Sequence, residues 1–410
     1  MLTVNRWTTL LSCITCAALA ACSSSSGTSG GSDASFDDAS KSPTTGSGGS
    51  ANTGTGGATS GTGGGGAAAK SDAGTRDAAT GMSDGATGDG ATGKRPIVVA
   101  SFGEVPASLA LDGDALYVTI AETSAGHDGK VVSVPKGSTG ATSDAGTVTT
   151  LATGLTAPRA IAVNGTDVYW ADTETVFPDN PSILAVPTSG GTVREVLSNV
   201  TTLTRFPIAG STLYTITANL TSIASFPLSA EDAGGLTTIY PGTLGGAVAG
   251  VDGDGTTVFF FGKGTTNLDL YSQPAAGGAL KDLAKNAAGG SFDFTYLVDD
   301  ATTLYWSDSG TGKVFSLPKT GGTPKILETF MTGSAPVQLV LDGNDVYALD
   351  GTELVRFPKS GGTPVVLATA LGTSTNTFTA GFGNAIQLAV DDTFVYWLYE
   401  AHGEVLKLAK

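Results

Sequence analysis

From residue 95 onward the chain repeats itself. One unit reads Ala160-Ile161-Ala162-Val163-Asn164-Gly165, then Val168-Tyr169-Trp170-Ala171-Asp172, then Ile183 to Pro187, Gly190-Gly191, and Val193 to Leu197. The aromatic of the second run recurs at Tyr117, Tyr169, Tyr214, Phe259, Tyr305, Tyr347 and Tyr396, at spacings of 52, 45, 45, 46, 42 and 49 residues. A proline closes the third run at Pro135, Pro187, Pro227, Pro274, Pro318 and Pro358, with Ala409 in the seventh place. Both series give seven units. Each unit holds four short β-branched and aromatic runs separated by Gly, Asp, Asn and Pro, the pattern of strands and turns. About 45 residues with four strands is the size of one β-propeller blade.

The last unit stops at Lys410 after three runs. Its missing fourth run stands at the other end of the repeat region, where Pro96-Ile97-Val98-Val99-Ala100 matches Pro364-Val365-Val366-Leu367-Ala368. The expected fold is all-β: a seven-bladed propeller over 95–410, its ring closed by the N-terminal strand as the outer edge of the last blade. Closure of this kind spares the ring an open strand edge.

The residues before the ring have a different texture. From Ser23 to Gly93 they are almost entirely Ser, Gly, Thr, Ala and Asp, too poor in apolar groups to offset the entropy of ordering. Residues 22–94 are expected to form a disordered tether, with a span on the order of 45 to 50 Å for a flexible coil. Residues 1–21 read as a signal peptide: Arg6 gives a positive start, and Leu10 to Ala21 is an apolar run of signal length. All three cysteines, Cys13, Cys16 and Cys22, fall in this leader region, so none is available to the repeats.

The run Leu19-Ala20-Ala21-Cys22 resembles the lipobox of bacterial lipoproteins. The resemblance implies lipidation of Cys22 after cleavage, a membrane anchor and a place in the cell envelope. With Ser23 after the cysteine it implies the outer membrane where the host has one. The alternative is an ordinary signal peptide cut at a nearby small-residue site. At Val168-Tyr169-Trp170-Ala171-Asp172 and Leu304-Tyr305-Trp306-Ser307-Asp308 the blades resemble the Tyr-Trp-Thr-Asp repeats of lipoprotein-receptor ectodomains. That family has six blades where seven are counted here, and the likeness carries a fold with no activity attached.

If the strands run outward from the axis in sequence order, the starts of the first strands and the loops between second and third strands share one face. That face gathers Glu104, Ser108, Arg159, Arg205, Asp293, Thr295, Gln338, Asn384 and Gln387 around the channel mouth. Glu104, Asp293 and Asn384 supply the oxygen ligands that a hard divalent cation takes, and such an ion activates water for hydrolysis. The set would resemble the sites of gluconolactonase-like propellers. The plainer reading is that channel mouths are polar because they are wet. His127 and His402 sit in second-to-third-strand loops of the first and last units, neighbours once the ring closes, and are candidates for acid/base work or for binding. Asp252-Gly253-Asp254-Gly255 and the Gly-Gly pairs read as turn chemistry, and Trp170, Trp306 and Trp397 as packing.

A formal charge of −16 disfavours a phosphate-binding surface, because nucleic-acid affinity comes largely from lysine and arginine. No motif requires a cofactor, although a divalent cation fits the mouth. The sequence therefore favours a monomeric, exported binding or scaffold module for a protein, peptide or glycan, tied to the membrane by its lipid. A hydrolase or lyase at the mouth is the alternative.

Overall fold

A computed structural model describes residues 95–121, 128–142, 147–172, 182–198, 200, 205–217, 220–229, 235–263, 267–289, 295–308, 310–330, 338–349, 353–369 and 388–410. These form seven blades, each an antiparallel meander; in six the strands follow one another in sequence order, and the last takes its fourth strand from the start of the described chain.

The chain begins with β1 (Ile97–Ser101). Blade I is β2 (Pro106–Asp112), β3 (Ala115–Ile120), β4 (Gly129–Pro135) and β6 (Thr149–Leu155), with β5 (Ala141–Thr142) inside its last connection. Blade II is β7 (Pro158–Val163), β8 (Asp167–Asp172), β9 (Ser182–Pro187) and β10 (Arg194–Leu197). Blade III is β11 (Ile208–Ala209), β12 (Thr212–Ile216), β13 (Ile223–Pro227) and β14 (Thr237–Tyr240). Blade IV is β15 (Val248–Gly253), β16 (Thr257–Lys263), β17 (Leu268–Pro274) and β18 (Lys281–Ala288). Blade V is β19 (Thr295–Asp299), β20 (Thr303–Asp308), β21 (Lys313–Pro318) and β22 (Lys325–Thr329). Blade VI is β23 (Gln338–Asp342), β24 (Asp345–Leu349), β25 (Glu353–Pro358) and β26 (Val365–Thr369). Blade VII is β27 (Leu388–Val390), β28 (Phe394–Tyr399), β29 (Glu404–Ala409) and, as its fourth strand, β1.

The core is distributed as seven apolar clusters, one for each pair of neighbouring blades. Period-two alternation explains how one strand serves two of them. In blade II, Tyr169 faces blade III while the next residue, Trp170, faces blade I. Trp306 and Trp397 likewise face the preceding blade, so the three tryptophans are packing residues.

Closure goes further than the sequence indicates. Strand β1 pairs antiparallel with β29, from Ile97↔Lys407 to Ser101↔Glu404. It is not the outer edge. Strand β5 pairs with it in parallel on the far side, through Ala100↔Ala141 and Ser101↔Thr142. Gly140 N–H also donates to the Val98 carbonyl at 2.8 Å. The buried Lys407 ammonium, its pKa lowered by that burial against the pull of Asp391, donates to the carbonyls of Lys136 and Ser138 at 2.8 and 3.1 Å. Blade I thus reaches around the outside of blade VII.

The turn between third and fourth strands is built alike in four blades. The Gly-Gly pairs 190–191, 277–278, 321–322 and 361–362 adopt φ near +79 to +92° and then +141 to +153°. Only glycine tolerates that succession, which settles these pairs as turn chemistry.

Candidate functional site

The meander places the first-strand starts and the second-to-third-strand connections on one face, called the mouth here, and the remaining turns on the other. Mouth connections among the described residues vary in length, from two residues between Leu155 and Pro158 to seven between Tyr240 and Val248. The opposite turns between first and second strands are uniformly two or three residues, as between Asp112 and Ala115 or Asp299 and Thr303.

Of the residues expected at the mouth, Glu104, Arg159, Arg205, Gln338 and His402 are described, whereas Asp293, Asn384, Gln387 and His127 lie outside the described residues. Glu104 precedes β2. Its Oε2 is 2.6 Å from Lys130 Nζ at the start of β4, so this carboxylate has a resident cation. Its backbone is pressed against Gly403, which has φ +67°; a Cβ there would stand 2.6 Å from the Glu104 carbonyl oxygen. His402 is exposed and stacks on Tyr399, with centroids 4.3 Å apart and planes 12° from parallel.

Arg159 is the second residue of β7, and its carbonyl accepts from Thr119 Oγ1 of blade I at 2.9 Å. Burial lowers the pKa of its guanidinium, and Glu400 of blade VII opposes that shift. Gln338 opens β23 and is 2% exposed.

Arg205, just before β11, is the most connected of the set. Its Nη1 donates to the Leu297 carbonyl of blade V, its Nη2 lies 3.4 Å from Asp252 Oδ1 of blade IV, and its guanidinium sits 4.9 Å from the Tyr296 ring centroid. One side chain therefore joins three blades. Asp252 is 5% exposed. Its pKa is pushed up to about 6 by burial, with Arg205 opposing and the neighbouring Asp299 reinforcing the rise. Of the Asp-Gly-Asp-Gly run, Asp254 is the turn residue: its Oδ1 accepts from the N–H of Thr256 and Thr257 at 3.0 and 2.8 Å. Asp252 is the charge partner of Arg205 instead.

Among the described residues no group of three or more His, Cys, Asp or Glu is placed to hold a metal ion. No helix among them is long and apolar enough to cross a membrane.

The face opposite the mouth carries a repeated device that the sequence reading missed. In all seven blades the residue after the third strand donates its N–H to the first turn of its own blade, at 2.8 to 3.1 Å; these residues are Lys136, Thr188, Leu228, Ala275, Lys319, Lys359 and Lys410. In four of them the side chain is a lysine that reaches back to an acid of the preceding blade. Lys136 meets Asp391 at 3.3 Å, Lys319 meets Asp254 at 2.9 Å, Lys359 meets Asp300 at 3.1 Å, and Lys410 meets Asp342. Lys319 also pairs with Asp299 of its own blade. Lys319 and Lys359 lie over the marker rings Phe259 and Tyr305, 5.1 and 5.6 Å from their centroids. The signal was present as the Pro-Lys dipeptides 135–136, 318–319 and 358–359. Beside Lys319 lies a cavity of about 340 Å³ lined by Asp254, Thr257, Phe259, Ser272 and Lys281 among others. It falls where Phe259 lacks the hydroxyl with which Tyr305 reaches Asp300 at 3.1 Å.

The acids of the Tyr-Trp-x-Asp runs are also structural. Asp308 Oδ2 accepts from Gly289 N–H at 2.8 Å and Thr311 Oγ1 at 2.9 Å, and its Oδ1 from Gly310 N–H at 3.1 Å. Asp172 Oδ1 accepts from Ala157 N–H at 2.8 Å. In each case the acid ends the second strand and ties down the chain entering the first strand of the same blade.

No family model matches the sequence, and no curated protein matches it. Several solved structures are similar to the chain in part. A prolyl endopeptidase is 12% identical with a TM-score of 0.48, over 76% of this chain and 50% of that one. The β-propeller domain of the Trilobed protease from Pyrococcus furiosus is 11% identical with a TM-score of 0.49, over 74% and 94%. TolB from Acinetobacter baumannii is 16% identical with a TM-score of 0.40, over 63% and 65%. This chain thus spans half the length of the endopeptidase.

Proposed function

We propose that the protein is an exported, lipid-anchored recognition module, tethered through Cys22 and binding a protein, peptide or glycan at the mouth of its propeller. The observation that carries this reading is the contrast between the two faces. On one, every first-to-second-strand turn has two or three residues and lysine–aspartate ties recur at four interfaces; on the other, connections vary in length from blade to blade. Binding residues concentrate on variable loops held by a rigid scaffold. The mouth charges that are described already have partners, Glu104 with Lys130 and Arg205 with Asp252, which favours binding over water activation by a metal.

A photo-crosslinking residue at exposed His402 on the mouth is expected to capture a cell-envelope component, and one at exposed Ser360 on the opposite face is not. Capture from Ser360 alone would overturn the reading. Elemental analysis of the full chain is expected to find no stoichiometric metal. A metal lost on Glu104→Ala would favour the hydrolase or lyase alternative. Cys22→Ser is expected to move the protein from the membrane to the soluble fraction, and persistence in the membrane would count against the lipid anchor.

A further inference from the structure

Blades IV and V carry nearly the same polar set on the faces they turn to the next blade. In blade V a cross-strand row runs Tyr305, Ser316, Lys325, and in blade IV the row at the same registers runs Phe259, Ser272, Lys281. The first turn of each blade holds an aspartate whose Oδ1 accepts from two N–H groups, those of Thr302 and Thr303 on Asp300 and those of Thr256 and Thr257 on Asp254. Asp300 Oδ2 accepts from the Tyr305 hydroxyl and from Lys359 Nζ, both at 3.1 Å. In blade VII, Asp391 Oδ2 likewise takes the Tyr396 hydroxyl at 3.0 Å and Lys136 Nζ at 3.3 Å. Asp254 Oδ2 takes Lys319 Nζ at 2.9 Å, and Phe259 brings no hydroxyl to it.

The cavity of about 340 Å³ lies at this place, between blades IV and V, and its volume is at the lower end of the range of small-molecule sites. Phe259 gives it an apolar side, and Asp254, Thr257, Ser272, Lys281 and Lys319 line it with polar groups. Ser272 belongs to the buried wall, at 7% exposure. Lys281 Nζ donates to the Thr320 carbonyl of blade V at 2.9 Å, which uses one of the three donors of an ammonium. The charges balance: Lys319 pairs with Asp254 and Asp299, and Lys281 brings the second positive charge. A charged ligand would meet no surplus of the opposite sign. These groups match a molecule that carries several hydroxyls, one donating to Asp254 Oδ2 where a tyrosine stands in blades V and VII, the others accepting from Lys281 and exchanging hydrogen bonds with Ser272 and Thr257.

We propose that this cavity is a second binding site, on the face opposite the mouth, for a neutral polyhydroxylated molecule of about monosaccharide size. No mouth residue takes part in it, nor does the Cys22 anchor, so the site stands or falls apart from the recognition reading.

Ligand-observed NMR on the full chain tests it, with D-glucose, D-galactose and D-mannose as probes and D-gluconate and phenol as comparisons. At least one of the three sugars is expected to bind. Phe259→Tyr places in blade IV the hydroxyl that blade V already has, and tyrosine stands at this position in the other six blades. It is expected to weaken the binding about tenfold or more, the effect of losing one hydrogen bond to a charged group. No binding by any of the three sugars overturns the proposal. So does binding that Phe259→Tyr leaves unchanged, which would place the sugar elsewhere, the mouth included. Tighter binding of gluconate or phenol than of the sugars overturns the assignment to a neutral polyol. Should Phe259→Tyr fail to fold, Lys281→Met at an exposed residue decides in its place: weaker binding supports the site, and unchanged binding overturns it.

Discussion

Asp252 shows how far a residue's neighbours along the chain mislead about its role. In sequence it belongs to a glycine-rich turn, and the residue that determines its behaviour, Arg205, stands 47 positions away. Burial raises the Asp252 pKa to about 6 although a guanidinium lies beside it. Carboxyl carbon shifts in a pH titration are expected to show one buried aspartate with a midpoint near 6. With Arg205→Met, the opposing cation is gone and the midpoint is expected to move higher; a downward move would mean that the pair does not exist as described. The folded pKa lies above the ordinary carboxylate value, so the associated stability is present at low pH and is lost as pH rises through about 6. Asp308 is the contrasting case, buried and satisfied. Asp308→Ala removes the acceptor of two N–H groups and one hydroxyl, and is expected to cost on the order of 3 kcal/mol in denaturant unfolding. Asp308→Asn, which keeps an acceptor oxygen, is expected to cost clearly less.

At the scale of elements the ties behave as separate units with their own acid response. Burial by itself pushes Asp254 up, but hydrogen bonds from Lys319 and from the Thr256 and Thr257 turn outweigh it and bring the pKa down to about 2. A depressed carboxylate contributes stability above the ordinary aspartate pKa and loses it as pH falls towards 2. Lys319→Met is expected to move the Asp254 titration back towards the ordinary range, with a smaller change in stability at pH 2, where the acid is about half protonated, than at neutral pH; an unmoved midpoint would mean that the turn alone holds the acid. Strand positions were legible in the sequence because the marker aromatic and the proline recur in register with the blades. The ties were less legible, since a lysine after a proline acquires a partner only when its blade docks on the preceding one. Strand β5 was not legible at all: Ala141 and Thr142 carry no alternation, and a two-residue parallel pairing has no period to read. Glu104 and Arg205 were legible as polar residues entering first strands, but not the pairs they form with Lys130 and Asp252.

Seven clusters for seven interfaces make the molecule a closed cycle in which each blade is stabilised by two neighbours, and stability depends on the cycle being complete. Strand β1 contributes Val99 and Ala100 to the VII/I cluster, and Phe102 follows directly after it. Full burial of a valine side chain contributes about 1.5 to 3 kcal/mol, so deletion of residues 1–101 removes Val99 and Ala100 from that interface together with the pairing of β1 on both its edges. It also exposes the β29 edge to pairing with other molecules. Deletion of 1–94 touches none of these contacts. The expectation is that a chain starting at Arg95 melts within about a degree of the full-length protein, while one starting at Phe102 is markedly destabilised or aggregates, because a loss of about 1 kcal/mol lowers the melting temperature of a large domain by about 2 to 4 °C. If the chain starting at Phe102 were soluble and melted as the parent does, β5 and β29 would have to close the seam between them. The doubly paired β1 would then be dispensable to the ring.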